Sequence, residues 1–161
     1  MRSFYLKPGE YYLGDRPIRV TTVLGSCVAV SMYHSPSMLA CICHVSAPAC
    51  RPKDHCWDSC TQAYRYVNCM VPSMVRSFTK RGIEPKRIET KLFGGAAVIG
   101  EPGRSADEES IGSLNIAAAR KTMAQLGLAI KSEDVGGFVG RKIVFDTSTG
   151  DILLKRFRRT F

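Results

Sequence analysis

The residues with chemistry to offer crowd into one early stretch. TTVLGSCVAVSMYHSPSMLACICHV, residues 21–45, holds two of the three histidines and three of the seven cysteines. Cys27 stands directly after Gly25 and Ser26, and His44 follows a strand-like run later. A free cysteine has a pKa near 8.5 and is mostly protonated at neutral pH. An adjacent imidazole takes that proton and leaves a thiolate, the nucleophile of acyl transfer. Gly25 and Ser26 permit a tight turn that exposes the sulfur at a strand edge, where the turn's N–H groups can form an oxyanion hole. A third group usually orients such a histidine, and Thr21 on the preceding strand has a hydroxyl to do it. The same residue types also fill cores, since cysteine is among the most buried residues and a lone histidine is often a satisfied core side chain. Spacing alone leaves both readings open.

The remaining cysteines point elsewhere. Cys41 and Cys43 alternate with Ile42 and His44, so the three polarisable groups do not share one face, and the two thiols are expected to pack. Cys50, His55, Cys56 and Cys60 fall in an irregular loop. Cys56 and Cys60 have zinc-like spacing, which His55 or Cys50 would complete. With a single such pair, structural thiols are the expectation, with no metal and no cofactor. Trp57 is expected to anchor that loop, Cys69 to pack on a helix and His34, opening a turn, to be exposed.

The elements that must position Cys27 and His44 follow from pattern. Residues 17–24, 28–33 and 39–45 are β-branched and apolar and read as strands. A two-residue turn at Ser35-Pro36 would set Cys27 directly opposite His44 on one face, with Cβ atoms about 5 Å apart. Tyr66, Met70, Met74 and Phe78 give helical spacing over 61–80, with a kink or restart expected at Pro72. A strand over 87–93 halts at Gly94-Gly95, and a second helix covers 112–126 with Gly127 as its stop. A short strand within 128–137 and a hairpin around Thr-Ser-Thr-Gly complete the count. Roughly seven strands and two main helices predict an α/β (α+β) layered sandwich with a mixed β-sheet core, one domain over 1–161.

Bulk properties exclude several classes. Apolar residues make up 45% of the chain and charged ones 23%, which is ordinary for a globular domain. No apolar run approaches the roughly 20 residues of a membrane helix. MRSFYLKPGEYYLGD is charged and turn-rich, unlike a signal peptide. Seven cysteines cannot all pair, so thiols in a cytoplasmic setting are expected. The net charge of +9, densest in KRFRRTF, favours acidic partners. No nucleic-acid motif or stacking platform accompanies it, so the tail reads as a solvated basic terminus, with no nucleic acid as partner and no membrane insertion. No GxGxxG or P-loop occurs.

The chain resembles the CheD family of chemoreceptor glutamine deamidases. The resemblance rests on VTTVLGSCVAV at 20–30, His44 with Pro48, YRYVN at 64–68, KLFGGA at 91–96, IGSLN at 111–115 and DVGGFVGRKIVF at 134–145. It implies Cys27 as nucleophile, His44 as general base and Thr21 as the orienting residue, with Thr22 as the alternative. It implies a fold similar to the catalytic fold of the cytotoxic necrotizing factor toxins. It implies hydrolysis of receptor glutamine amides through a thioester, with no cofactor. Implied partners are chemoreceptor cytoplasmic helices as substrate and CheC, a phosphatase of the chemotaxis response regulator. The alternative is a non-catalytic adaptor that binds CheC or receptor. The segment VSAPAC after His44 and the cysteine-rich loop depart from the family's usual pattern.

Overall fold

A computed structural model describes residues 1–49, 63–97 and 109–158. The expectations for Cys50, His55, Cys56, Trp57 and Cys60, and for the last residues of the basic tail, lie outside the described residues.

Two sheets and two helices stack in three layers. The first sheet has the order β1 (Arg2–Tyr5), β3 (Ile18–Leu24), β8 (Gly140–Asp146), β9 (Asp151–Phe157). The second has the order β2 (Tyr11–Gly14), β5 (Leu39–Val45), β4 (Val28–His34), β6 (Glu89–Gly94), β7 (Ile130–Val135). Both are mixed: β1 runs parallel to β3 and β6 parallel to β7, and the other pairs are antiparallel. Helices α1 (Val67–Thr79) and α2 (Ile111–Gln125) cover the outer face of the second sheet.

The central strands are buried on both faces, which is why they read as continuous apolar runs. Every residue of β4 and β5 is buried. One face, with Val28, Val30, Met32, Cys41 and Cys43, packs on Met70, Met74 and Phe78 of α1 and Ala119 and Met123 of α2. The other, with Ala29, Ile42 and Phe93, meets Val20, Leu24, Ile143 and Phe145 of the first sheet. Cys41 and Cys43 thus pack in hydrocarbon, where burial pushes the Cys43 thiol up to about 12 and Cys41 well above its ordinary value.

Several local expectations change. The turn between β4 and β5 pairs His34 with Leu39, so it spans four residues, with Pro36 in a 3₁₀ turn and Met38 left-handed at φ 56°. His34 is buried rather than exposed, its Nδ1 2.6 Å from Ser37 Oγ. Pro72 does not restart the helix, which runs on from Val67 to Thr79. Proline removes one backbone hydrogen bond, and the buried face from Val67 to Phe78 outweighs that loss. Strands β1 and β2 escape the sequence reading because each has four residues and β1 is exposed throughout, leaving no alternation to detect.

Gly94 and Gly95 end β6 against the turn that carries Cys27. Gly94 has φ +102°, and a Cβ there would lie 2.3 Å from the Cys27 carbonyl oxygen. Any side chain at this position must displace the Cys27 backbone. Gly94→Ala is expected to cost more than about 2 kcal/mol, from left-handed strain and the backbone clash together. Urea unfolding of the variant beside the parent measures it.

Candidate active site

The segment 24–27 carries the chain from the first sheet, where β3 ends, to the second, where β4 begins. Cys27 therefore sits at the rim between the layers, half-buried against the inter-sheet core. Three successive carbonyls of its turn are tied to the scaffold. Gly25 O accepts from Ala96 N–H, Ser26 O from Asn115 Nδ2 and Cys27 O from Gly95 N–H, each at 2.9 Å. Asn115 is fully buried in α2 and also reaches Ser46 O at 3.5 Å. It thereby joins the cysteine turn to the end of the strand that holds His44. Gly112 belongs to the same joint, since a Cβ there would come within 2.3 Å of Ala96 O.

His44 lies on β5 opposite Ala29, not opposite Cys27. The four-residue turn shifts the pairing by two residues from the expected register, and a shift of two preserves the face. Cys27 and His44 become diagonal neighbours on the inter-sheet side, with Cα atoms about 7–8 Å apart in such a geometry. The histidine is 2% exposed. Its backbone is fixed on the far side by Glu10 O, which takes its N–H at 3.1 Å, and by Gly9 N–H, which its carbonyl accepts at 2.8 Å.

Thr22 faces His44 across the gap between the sheets. Its Oγ1 is 2.7 Å from His44 Nδ1 and donates to Leu6 O at 2.8 Å. A hydroxyl has one proton. With that proton committed to Leu6, Oγ1 accepts from His44, so Nδ1 carries the hydrogen and Nε2 keeps a lone pair. Nε2 is buried, with no hydrogen-bond partner among the described residues. Burial lowers the imidazole pKa to about 4, against a smaller raising effect of Glu10, so the ring is neutral at physiological pH.

Of the two adjacent threonines expected at this place, Thr22 is the one that reaches His44. Thr21 faces the other side of β3, in register with Tyr5 and Val144. Strand alternation is the reason: Val20, Thr22 and Leu24 are buried while Arg19, Thr21 and Val23 are not. Arg19 was the available signal, because a charged residue two positions away marks the Thr21 face as the outer one. Gly25 and Ser26 stand in the turn as expected. Asn115 and Gly94 were visible only as motif letters; their partners are distant in sequence.

A further group braces the turn from below. Arg141, 3% exposed, donates from Nε to Asp134 at 2.7 Å and from Nη2 to Gly136 O at 2.7 Å. Gly136 N–H in turn bonds Gly94 O at 2.9 Å, and Gly137 O accepts from Ala97 N–H at 2.8 Å. The blocks LGSC, FGGA, IGSLN and DVGGFVGRK, scattered in sequence, meet around one cysteine.

A family model described as "CheD chemotactic sensory transduction" matches residues 52–156. The chain belongs to the CheD family. It is 43% identical over 97% of its length to the probable chemoreceptor glutamine deamidase CheD 2 of Geobacter sulfurreducens, covering 91% of that protein. It is 37% identical over 99% of its length to the probable chemoreceptor glutamine deamidase CheD of Maridesulfovibrio salexigens, covering 94% of it. The family-model match begins beyond His44, whereas these near-complete alignments run across the β4–β5 hairpin too. Among solved structures, the hypothetical protein YfiH of Bacillus licheniformis is similar at TM-score 0.44 and 16% identity, covering 77% of this chain and 49% of that one. That likeness is too slight to carry weight. Among the described residues no helix of this CheD chain is long and apolar enough to cross a membrane.

Two measurements probe the geometry. Thr22→Val keeps the shape but strands Leu6 O and His44 Nδ1–H. It is expected to cost about 1–3 kcal/mol and to slow iodoacetamide alkylation of Cys27, read by peptide mapping. Thr21→Val, on the outer face, should leave the alkylation rate alone.

Stability should also depend on pH through His44. Its pKa is about 4 in the folded chain against 6.5 for the ordinary group. Between these values the unfolded chain binds more protons, so stability is complete above pH 6.5 and falls as pH drops toward 4. The loss approaches about 3 kcal/mol, and His44→Gln should flatten it in urea unfolding at pH 7 and 4.5. Asp134, held below its usual range chiefly by its hydrogen bond with Arg156, acts at lower pH.

Proposed function

We propose that this chain is a hydrolase that deamidates glutamine side chains of chemoreceptors, with Cys27 as nucleophile and His44 as general base. The observation that carries the reading is Thr22 Oγ1 set between His44 Nδ1 and Leu6 O, with His44 Nε2 left without a hydrogen-bond partner among the described residues, on the face it shares with Cys27. The family membership and the names of the relatives supply the substrate class.

His44 Nε2 takes the Cys27 thiol proton, and the thiolate attacks the carboxamide carbon of a glutamine. The carbonyl oxygen becomes an oxyanion. With the carbonyls of Gly25, Ser26 and Cys27 committed to the scaffold, the N–H groups of the turn are what it has to offer that charge. The imidazolium returns its proton to the leaving nitrogen, ammonia departs and a thioester remains. Water, deprotonated by His44, attacks the thioester, and glutamate and the Cys27 thiol are released. Thr22 holds the ring through both halves and keeps the proton on Nδ1; Thr21 has no part.

The proposal includes residues 1–161 acting as one CheD-like deamidase domain in the cytoplasm and a fold akin to that of the cytotoxic necrotizing factors. It includes receptor cytoplasmic helices as protein substrate and CheC as a binding partner. The net charge of +9 suits acidic helical surfaces.

Cys27→Ala is expected to abolish conversion of glutamine to glutamate in a receptor cytoplasmic fragment while the protein stays folded. Peptide mass spectrometry reads a gain of about 1 Da per converted glutamine with the parent protein and none with the variant. An undiminished rate in folded Cys27→Ala eliminates the mechanism.

A further inference from the structure

Cys27 stands one residue outside the pairing that fixes His44. The β4–β5 ladder begins with Val28 opposite Val45 and sets His44 opposite Ala29. Past its last pair a ladder frays unless another group closes it. One side chain reaches both diverging chains here. Asn115, fully buried in α2, donates from Nδ2 to Ser26 O at 2.9 Å and to Ser46 O at 3.5 Å. A carboxamide nitrogen carries two hydrogens, one for each carbonyl. The shorter bond is the firmer, and it falls on the cysteine side.

The bond to Ser26 bears directly on the thiol. A peptide group is planar, so fixing its oxygen fixes its plane. The plane before Cys27 is held through Ser26 O by Asn115, and the plane after it through Cys27 O by Gly95 N–H. With both planes held, φ and ψ of Cys27 are set, and so is the direction of its Cα–Cβ bond. Of these two holds, the one at Ser26 rests on a side chain. Helix α2 comes near enough to supply it because of Gly112, one turn earlier on the same face, where a Cβ would collide with the carbonyls of Gly95 and Ala96. Asn115 also carries a cost. Its Oδ1 is buried with no hydrogen-bond partner among the described residues. An acceptor left so is destabilising, which a residue kept for packing alone would avoid.

We propose that Asn115 is a positioning residue, which sets the angle at which the Cys27 thiol meets His44 by tying the Ser26 peptide to the end of the histidine strand. It acts through the backbone of the turn. Its effect on turnover rests on the deamidase reading above; its effect on the presentation of the thiol does not. Small displacements of a reacting atom cost far more in rate than in binding, so the loss belongs in kcat.

The test uses the full chain, a chemoreceptor cytoplasmic fragment and iodoacetamide. Asn115→Ala and Asn115→Ser, neither long enough to reach Ser26 O, should each lower kcat on the fragment at least tenfold with KM within twofold of the parent. Each should also slow alkylation of Cys27 at least threefold. Met123→Ala is the control. It lies about two turns further along α2, fully buried in the helix-side core, and loosens the helix by lost packing. It should leave both rates within twofold. Circular dichroism and urea unfolding establish that each variant is folded under assay conditions. Either rate unchanged in a folded Asn115 variant overturns the proposal. So does an equal fall in Met123→Ala, which makes the effect one of helix stability, or a rise in KM alone, which makes it one of binding. Loss of the fold in both Asn115 variants makes the residue structural and overturns it too. A parent protein inert on the fragment, with alkylation still slowed in Asn115→Ala, overturns the deamidase reading and leaves the positioning of Cys27 standing.

Discussion

One hydrogen bond joins the two sheets at the point where chemistry is proposed: Thr22 on β3 to His44 on β5. Everything around it is arranged so that this bond has a direction. Leu6 O absorbs the hydroxyl proton, which obliges the threonine to accept and the imidazole to donate. The unprotonated nitrogen is then fixed by geometry and not by chance of tautomer. Because the two partners belong to different layers, the orientation of the ring depends on how the sheets are stacked. Sheet packing is in this sense part of the site.

The cysteine arrives by a different route. It lies where the chain crosses from one layer to the other, and its turn is pinned by Gly95 and Ala96, which follow β6, and by Asn115 of α2. Glycines at 94, 95 and 112 allow main chain to approach main chain with nothing between. Asn115 closes the gap by holding the cysteine turn at Ser26 and reaching Ser46 beyond the histidine strand. The buried Arg141 supports the same assembly from the β7–β8 loop. A firmly held Cys27 turn beside a firmly held imidazole follows from these contacts.

Much of this was legible in the residues. The central strands, the two helices and the final hairpin announced themselves through apolar runs and periodicity. Cys27 and His44 were marked by type and spacing, and their common face survived the wrong turn length because the error was two residues and not one. What sequence did not deliver depended on distant partners. Thr21 against Thr22 needed the alternation of β3 to be read through Arg19. Asn115 looks like any helix polar residue until Ser26, far off in sequence, appears beside it. The burial of His34 depends on the 3₁₀ turn that brings Ser37 to its ring. Strands β1 and β2 are formed by pairing with neighbours, not by any pattern of their own.

The two thiols of β5 carry a practical consequence. Cys41 and Cys43 are sealed among α1 and β4 side chains and stay protonated throughout the physiological range. An electrophile in solution meets them only after the layers come apart. Their modification therefore keeps a record of unfolding, written in the same molecule whose Cys27 reports on the folded state. One mass spectrum of a labelled sample holds both readings, each internally referenced to the other.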